Sequence, residues 1–302
     1  MPLNLSNRQS TLQPPPKSAG RRLAGTFSSE SREKASVLVS LPPFPAIAMR
    51  VLDLLSKEEL GLKELTQQIQ ADAVLSSEIL TVSNSVLFGF RTEIRSILQA
   101  TTLLGAQRVK GIAMTIAMKT YLTQSFHIPV VLACWRHNLA CGLVAEELAK
   151  VSLIEKDFAY LAGLLHDIGR LALGMTKPQE YAELLAGDVH SPAEMLERER
   201  QMFGIDHCEA GRRLMLSWRL PQAFCDVAAE HHGPKGTKFD IVALVNRSCL
   251  IADAIGFAAA SSLKPRRFED ILLSLPDRER KRFAPDLEQF AKHIAIKINA
   301  LE

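Results

Sequence analysis

After Ser36 the apolar residues recur at helical spacing, strand-like alternation is almost absent, and Pro and Gly fall mainly between segments. This pattern predicts an all-helical body. Ile47, Val51, Leu52 and Leu55 form a buried-face stripe over 46–55, and Asp72 is placed to cap a helix over 73–82. Further helices are expected over 94–104 and 109–121, with Gly105 as the break, then over 135–150, 157–173, 193–203, 207–218, 221–232 and 240–258. Two more, near 267–273 and 277–300, complete the chain. No fixed-period repeat occurs, which argues against a solenoid.

Charge is unevenly distributed. Residues 1–36 carry six cations and two anions, so the remaining residues sum to −1 although the whole chain is formally +3. The body therefore lacks the clustered basic face that neutralises phosphate backbones, and aromatics at 6% are sparse for base stacking. No nucleic-acid partner is expected. With 47% apolar and 23% charged residues the chain reads as globular rather than disordered in bulk. Its five cysteines are scattered without a C-x-x-C pair, as expected of reduced thiols in a cytoplasmic protein. No apolar run reaches the ~18 residues of a membrane span, so no membrane partner is expected.

Chemistry is concentrated in histidines and two aspartates on faces expected to be buried. His137 shares a face with Ala140, Cys141, Val144 and Leu148; His166 and Asp167 interrupt the apolar run Leu161–Gly169. His207 lies with Ala210, Gly211, Leu214 and Trp218, His231 and His232 end a segment striped by Phe224, Val227 and Ala228, and Asp253 lies with Cys249, Leu250 and Phe257. An ionised carboxylate buried alone is costly, so such acids gather cations or donors. Either the five segments converge in one polar cluster, or each histidine is satisfied separately in the core. A converged cluster of imidazoles and carboxylates would suit Fe, Mn or Zn.

The order His137, His166-Asp167, Asp253 resembles the H…HD…D signature of HD-superfamily phosphohydrolases, and His207 with His231-His232 resembles the second metal site of the HD-GYP branch. The wider chain is most similar to the HDOD family, the HD-related output domains of bacterial signalling proteins. Leu41-Pro42-Pro43-Phe44-Pro45, Ser83-Asn84-Ser85, Gly163-Leu164-Leu165-His166-Asp167-Ile168-Gly169, Phe203-Gly204-Ile205-Asp206-His207 and Trp218-Arg219-Leu220-Pro221 carry that resemblance. It implies a two-lobed all-α fold with an HD-like lobe, metal ligands at His137, His166, Asp167, His207, His231, His232 and Asp253, and a regulatory role through a signalling protein partner or a small phosphorylated ligand. The alternative it implies is a metal-dependent phosphodiesterase, in which Asp167 and the metal activate water and Arg170 steadies a phosphate. Two departures weigh against that chemistry. Arg170 stands where the HD-GYP pattern has Lys, and no Gly-Tyr-Pro follows His231-His232.

The expected organisation is a disordered basic leader over 1–36, an HDOD domain over 37–260 divided near 130, and C-terminal helices over 261–302 packed on it. Neither G-x-x-x-x-G-K-[ST] nor G-x-G-x-x-G occurs, so no nucleotide cofactor is expected. The run Asp277–Arg282 reads as a solvated helix start, and Cys208 as a packed thiol.

Overall fold

The computed structural model describes residues 49–302 except 52, 55–60, 86, 234–237 and 261–262, and every regular element among them is a helix. The leader 1–36, the stretch 41–45 and the turn 234–237 lie outside the described residues. Of the helix expected over 46–55, residues 49–51 and 53–54 are described in part and are helical where assigned.

Local capping shapes the first lobe. Helix α1 spans Leu62–Gln70 and α2 Ala73–Ser83, the latter opened by Asp72, whose Oδ1 accepts from the N–H groups of Val74 and Leu75 at 3.1 and 3.0 Å. Helix α3 covers Ile97–Leu104 and starts three residues later than the periodicity predicts. The Asn84 side chain explains this, since it takes both the N–H and the carbonyl of Ile94 at 2.8 Å and leaves Ser96 to cap the helix. Gly105, at φ 86°, makes the break before α4, Ala106–Leu122.

The second lobe is built on α5, Pro129–Ala149, a helix buried along most of its length. Around it follow α6 Lys156–Leu165, α7 Ile168–Thr176, α8 Pro178–Ala186, α9 Pro192–Phe203, α10 His207–Ser217, α11 Gln222–Glu230 and α12 Ile241–Ala252. Helix α12 runs into a wide turn, Asp253–Phe257, in which Gly256 has φ 96°. Helices α13 Phe268–Leu273, α14 Asp277–Arg282 and α15 Leu287–Leu301 end the chain, and α15 packs on α5.

Two expected helices are each broken. The one over 157–173 stops at Leu165 and restarts at Ile168, so His166 and Asp167 form the joint between α6 and α7 rather than a helical turn. The one over 277–300 breaks at Pro285, which has no N–H to donate, and Asp286 caps α15 by accepting from Gln289 N–H at 2.8 Å. Helix α8 was not anticipated.

One contiguous apolar core runs through both lobes, from Val51 to Leu301. Across the lobes Arg108 of α4 pairs with Glu146 of α5 through two hydrogen bonds, at 2.9 and 2.5 Å, and with Asp157 of α6 at 2.7 Å. Two glycines bring the helices of the second lobe close enough to assemble a site. A Cβ on Gly163 would stand 2.8 Å from the Cys141 carbonyl oxygen, and one on Gly169 would stand 1.9 Å from the His207 carbonyl oxygen. Among the described residues, no helix is long and apolar enough to cross a membrane.

Candidate metal centre

The five histidines singled out by their inward faces form one connected cluster. Ring centroids lie 5.3 Å apart for His137 and His166, 4.9 Å for His166 and His231, 5.5 Å for His207 and His231, and 4.1 Å for His231 and His232. His137 comes from the middle of α5, His166 and Asp167 from the α6–α7 joint, His207 from the first turn of α10, and His231 and His232 from the end of α11. Helix termini and joints predominate because a chain reversal can aim a side chain inward without a polar stripe along a whole helix.

The backbone determines which nitrogen each ring presents. His166 Nδ1 donates to the Gly163 carbonyl at 2.7 Å and His231 Nδ1 to the Ala228 carbonyl at 3.0 Å, which places the lone pair of each ring on Nε2. Both Nε2 atoms are buried and without a hydrogen-bond partner, as is Asp167 Oδ1. These are donor atoms of one another's neighbourhood: His166, Asp167 and His231 bring ligand atoms within 4.8 Å of each other. Three buried acceptor atoms without hydrogen bonds, the nearest donor to Asp167 Oδ1 being His207 Nε2 at 3.7 Å, are unfavourable unless a cation satisfies them, so the donor set fits a divalent metal.

A second group lies alongside. His207, Cys208, His231 and His232 also bring ligand atoms within 4.8 Å. His207 Nε2 and His232 Nε2 are 2.9 Å apart, and two lone pairs that close need a proton or a cation between them.

Burial governs the electrostatics. It pushes His231 down to about 4, and takes His166 and His232 well below the usual histidine range, with the neighbouring histidines adding to the effect. Neutral rings are the form in which imidazole binds metal. Burial and Arg170 oppose charge on His207 too, but the surrounding acidic groups, Glu199 first and then Cys208 and Asp167, together outweigh them and raise it well above the usual range. Asp167 is held well below the carboxylate range despite its burial, chiefly by Arg170, whose Nε lies 2.6 Å from Oδ2. Asp253 goes the other way, raised by burial.

Arg170 is itself enclosed. Besides Asp167, its Nη1 lies 3.4 Å from the Tyr181 hydroxyl and 3.7 Å from Glu199 Oε1. Asp253 meets the cluster only at its edge, with Oδ1 3.3 Å from His137 Nδ1 and the side chain 26% exposed. A cavity of about 30 Å³ touches this edge, lined by His137, Asp167, Arg170, His232, Cys249 and Asp253 and, on its other side, by Ala259, Ala260 and Leu263.

Three residues at the site were not anticipated in these positions. Glu199 is completely buried on the α9 face shared by Met195 and Phe203, so an acid on an apolar i, i+4, i+8 stripe was its available signal. Tyr181, from the unanticipated α8, donates to Glu199 Oε1 at 2.9 Å. Cys249 Sγ lies 3.5 Å from His137 Nε2.

Comparison with known proteins agrees with this architecture. The HDOD domain family matches residues 41–234. An uncharacterised protein of Treponema pallidum (strain Nichols) is 22% identical over 196 residues, 64% of this chain, and the match spans only 37% of that relative's length. An HDOD domain protein of unknown function from Geobacter sulfurreducens has a similar fold, with a TM-score of 0.66 at 21% identity over 90% of this chain and 97% of that one. A candidate signal transduction protein from Marinobacter aquaeolei VT8 gives 0.69 at 18% identity, over 90% of this chain and 65% of that one. With its helical two-lobed fold, its histidine cluster at the α6–α7 joint and a family match over most of the described chain, this protein belongs to the HDOD domain family.

Proposed function

We propose that this chain is a bacterial signalling module, acting in the cytoplasm through a protein partner, in which the histidine cluster holds a divalent metal as a structural or sensing element. The observation that carries this reading is the cavity of about 30 Å³ at the cluster. It offers the room of about one water molecule, whereas organic ligands occupy pockets of roughly 300 Å³ or more. A nucleotide or other bulky phosphoester does not fit beside the metal unless Ala259, Ala260 and Leu263 move.

His166, Asp167 and His231 would hold one ion, with His207 and His232 completing the group. When bound, the ion supplies Lewis acidity and a fixed positive charge. Arg170 is a positioning residue in this reading: it orients the Asp167 carboxylate, and with Asp167 and Glu199 on either side its charge is already matched. That assignment replaces the phosphate-steadying role implied by the resemblance. A cleft of about 320 Å³ between the lobes, lined by Arg108, Glu146, Lys150, Lys156 and Lys297, has more room for a small phosphorylated ligand, although its Arg108, Lys150 and Lys297 already pair with Glu146, Asp157 and Glu147. The name of the Marinobacter protein favours signalling. The unit proposed to carry these properties spans 37–260, with 261–302 packed on it.

A metal-dependent phosphohydrolase is the second reading, favoured by the complete set of signature residues and by the three unpartnered donor atoms. One experiment separates the two. Elemental analysis of protein purified without chelator, beside an Asp167→Ala variant, is combined with turnover of a generic phosphodiester. Metal lost in the variant without turnover supports the sensing reading. Metal-dependent turnover supports the enzyme, and absence of metal from both proteins removes both readings.

A further inference from the structure

We infer that the metal position beside His137 is built with a thiolate: Cys249 Sγ, and not the Asp253 carboxylate, is the ligand that α12 supplies. The inference rests on the metal reading above and concerns which atoms complete it.

The two nitrogens of His137 decide the matter. Nδ1 lies 2.8 Å from the Phe257 carbonyl oxygen, to which it donates, and 3.3 Å from Asp253 Oδ1. The ring proton is therefore on the Asp253 side. Nε2, which carries the lone pair, faces Cys249 Sγ at 3.5 Å. Metal–sulfur and metal–nitrogen bonds of about 2.3 and 2.05 Å at a tetrahedral angle subtend about 3.6 Å. His137, His166 and Cys249 bring ligand atoms within 4.8 Å of one another, and His166, whose Nε2 is buried without a hydrogen-bond partner, has one lone pair to give, so this position is that of the ion held by His166, Asp167 and His231 and not a second one.

The backbone explains the exchange of roles. Cys249 is in the last turn of α12, on its inward face and 7% exposed. Asp253 begins the wide turn, where the helical repeat is lost, and is carried to the cavity rim. From there it faces His137 Nδ1, as carboxylates behind metal-bound histidines do, and with the Phe257 carbonyl it orients the ring. Metal binding displaces the Cys249 thiol proton to solvent as the metal–sulfur bond forms, so charge and atoms balance. A sulfur ligand shifts the preference from manganese towards zinc.

The test loads the full chain with cobalt(II) and records the sulfur-to-cobalt charge-transfer absorption in the near ultraviolet, with bound cobalt measured by elemental analysis. The wild-type protein and Asp253→Asn are expected to show the band. In Cys249→Ser it is lost or at least halved while cobalt remains bound. Cobalt bound to the wild type without the band, or a band undiminished in Cys249→Ser, overturns the thiolate assignment and leaves the metal reading intact. No cobalt in the wild type overturns both. If Cys249→Ser does not fold, zinc-edge X-ray absorption on Cys208→Ser decides, since Cys208 is the other thiol placed beside cluster histidines: a sulfur neighbour at about 2.3 Å supports the assignment, and a shell of nitrogen and oxygen alone overturns it.

Discussion

A single carboxylate oxygen of Glu199 grips His207 twice, accepting from its backbone N–H at 2.9 Å and lying 2.6 Å from its ring Nδ1. The other oxygen accepts from Tyr181, so this buried acid ties α8 and α9 to the first turn of α10. A negative charge there also meets the positive end of the α10 dipole.

Removing that acid leaves Arg170 and His207 buried with one counter-charge fewer. Glu199→Ala is expected to cost about 3–5 kcal/mol in urea unfolding, and Glu199→Gln less, because the amide keeps the shape and one acceptor. A cost below about 1 kcal/mol for the alanine variant would show that Glu199 does not organise the cluster.

Gly169 of α7 lies against the first turns of α10, and an added Cβ would collide with the backbone of His207 and Gly211 rather than with a mobile side chain. Gly169→Ala is expected to lower stability by more than about 3 kcal/mol or to prevent folding. Gly61→Ala, at the N-cap of α1 with nothing within 4 Å, serves as the control and should cost no more than about 1 kcal/mol in a thermal melt. Equal melting temperatures for the two variants would contradict the packing.

The neutral, buried histidines make stability depend on acidity. His231 is pushed down to about 4 in the folded protein, below its ordinary value of 6.5, so the unfolded chain binds the proton more tightly. Its contribution is complete above pH 6.5 and is lost as pH falls towards 4, amounting to about 2 kcal/mol by pH 5. His166 and His232 act in the same direction, and His207, whose value is raised, acts in the opposite one. The metal-free protein should therefore have a lower urea midpoint at pH 5 than at pH 7, and His231→Gln should flatten the difference. A midpoint that is unchanged or higher at pH 5 would sink the account.

Metal that binds the folded cluster alone stabilises it by linkage. Zinc at one hundred times its dissociation constant is expected to add about 3 kcal/mol over chelator-treated protein. His166→Ala and Asp167→Ala, which remove donors from the group with unpartnered atoms, should lose most of that increment. Calorimetry with and without chelator reads it directly, and an increment that survives both substitutions would place the metal elsewhere.

Much of this protein was legible in its sequence because helices announce themselves locally. The Asp72 cap, the Gly105 break and the inward faces of His137 and His207 depend on neighbours within a few residues, and periodicity reports those. Even the convergence of the histidines could be anticipated, since polar residues on several buried faces have few places to go except together. The positions that misled were those where a long-range partner overrides the local signal, as when Asn84 occupies the backbone of Ile94, or where the helix breaks at His166-Asp167.

What the sequence determined, then, is which residues turn inward and on which helices. The tertiary structure alone decided which atom of each residue faces its neighbours. Imidazole has two nitrogens on different edges of one ring, and the choice between them belongs to acceptors such as the carbonyls of Gly163, Ala228 and Phe257. Phe257 is 120 residues from the ring it orients. A helical face is a property of 3.6 residues per turn; the direction of a lone pair is a property of whatever the rest of the chain packs against it.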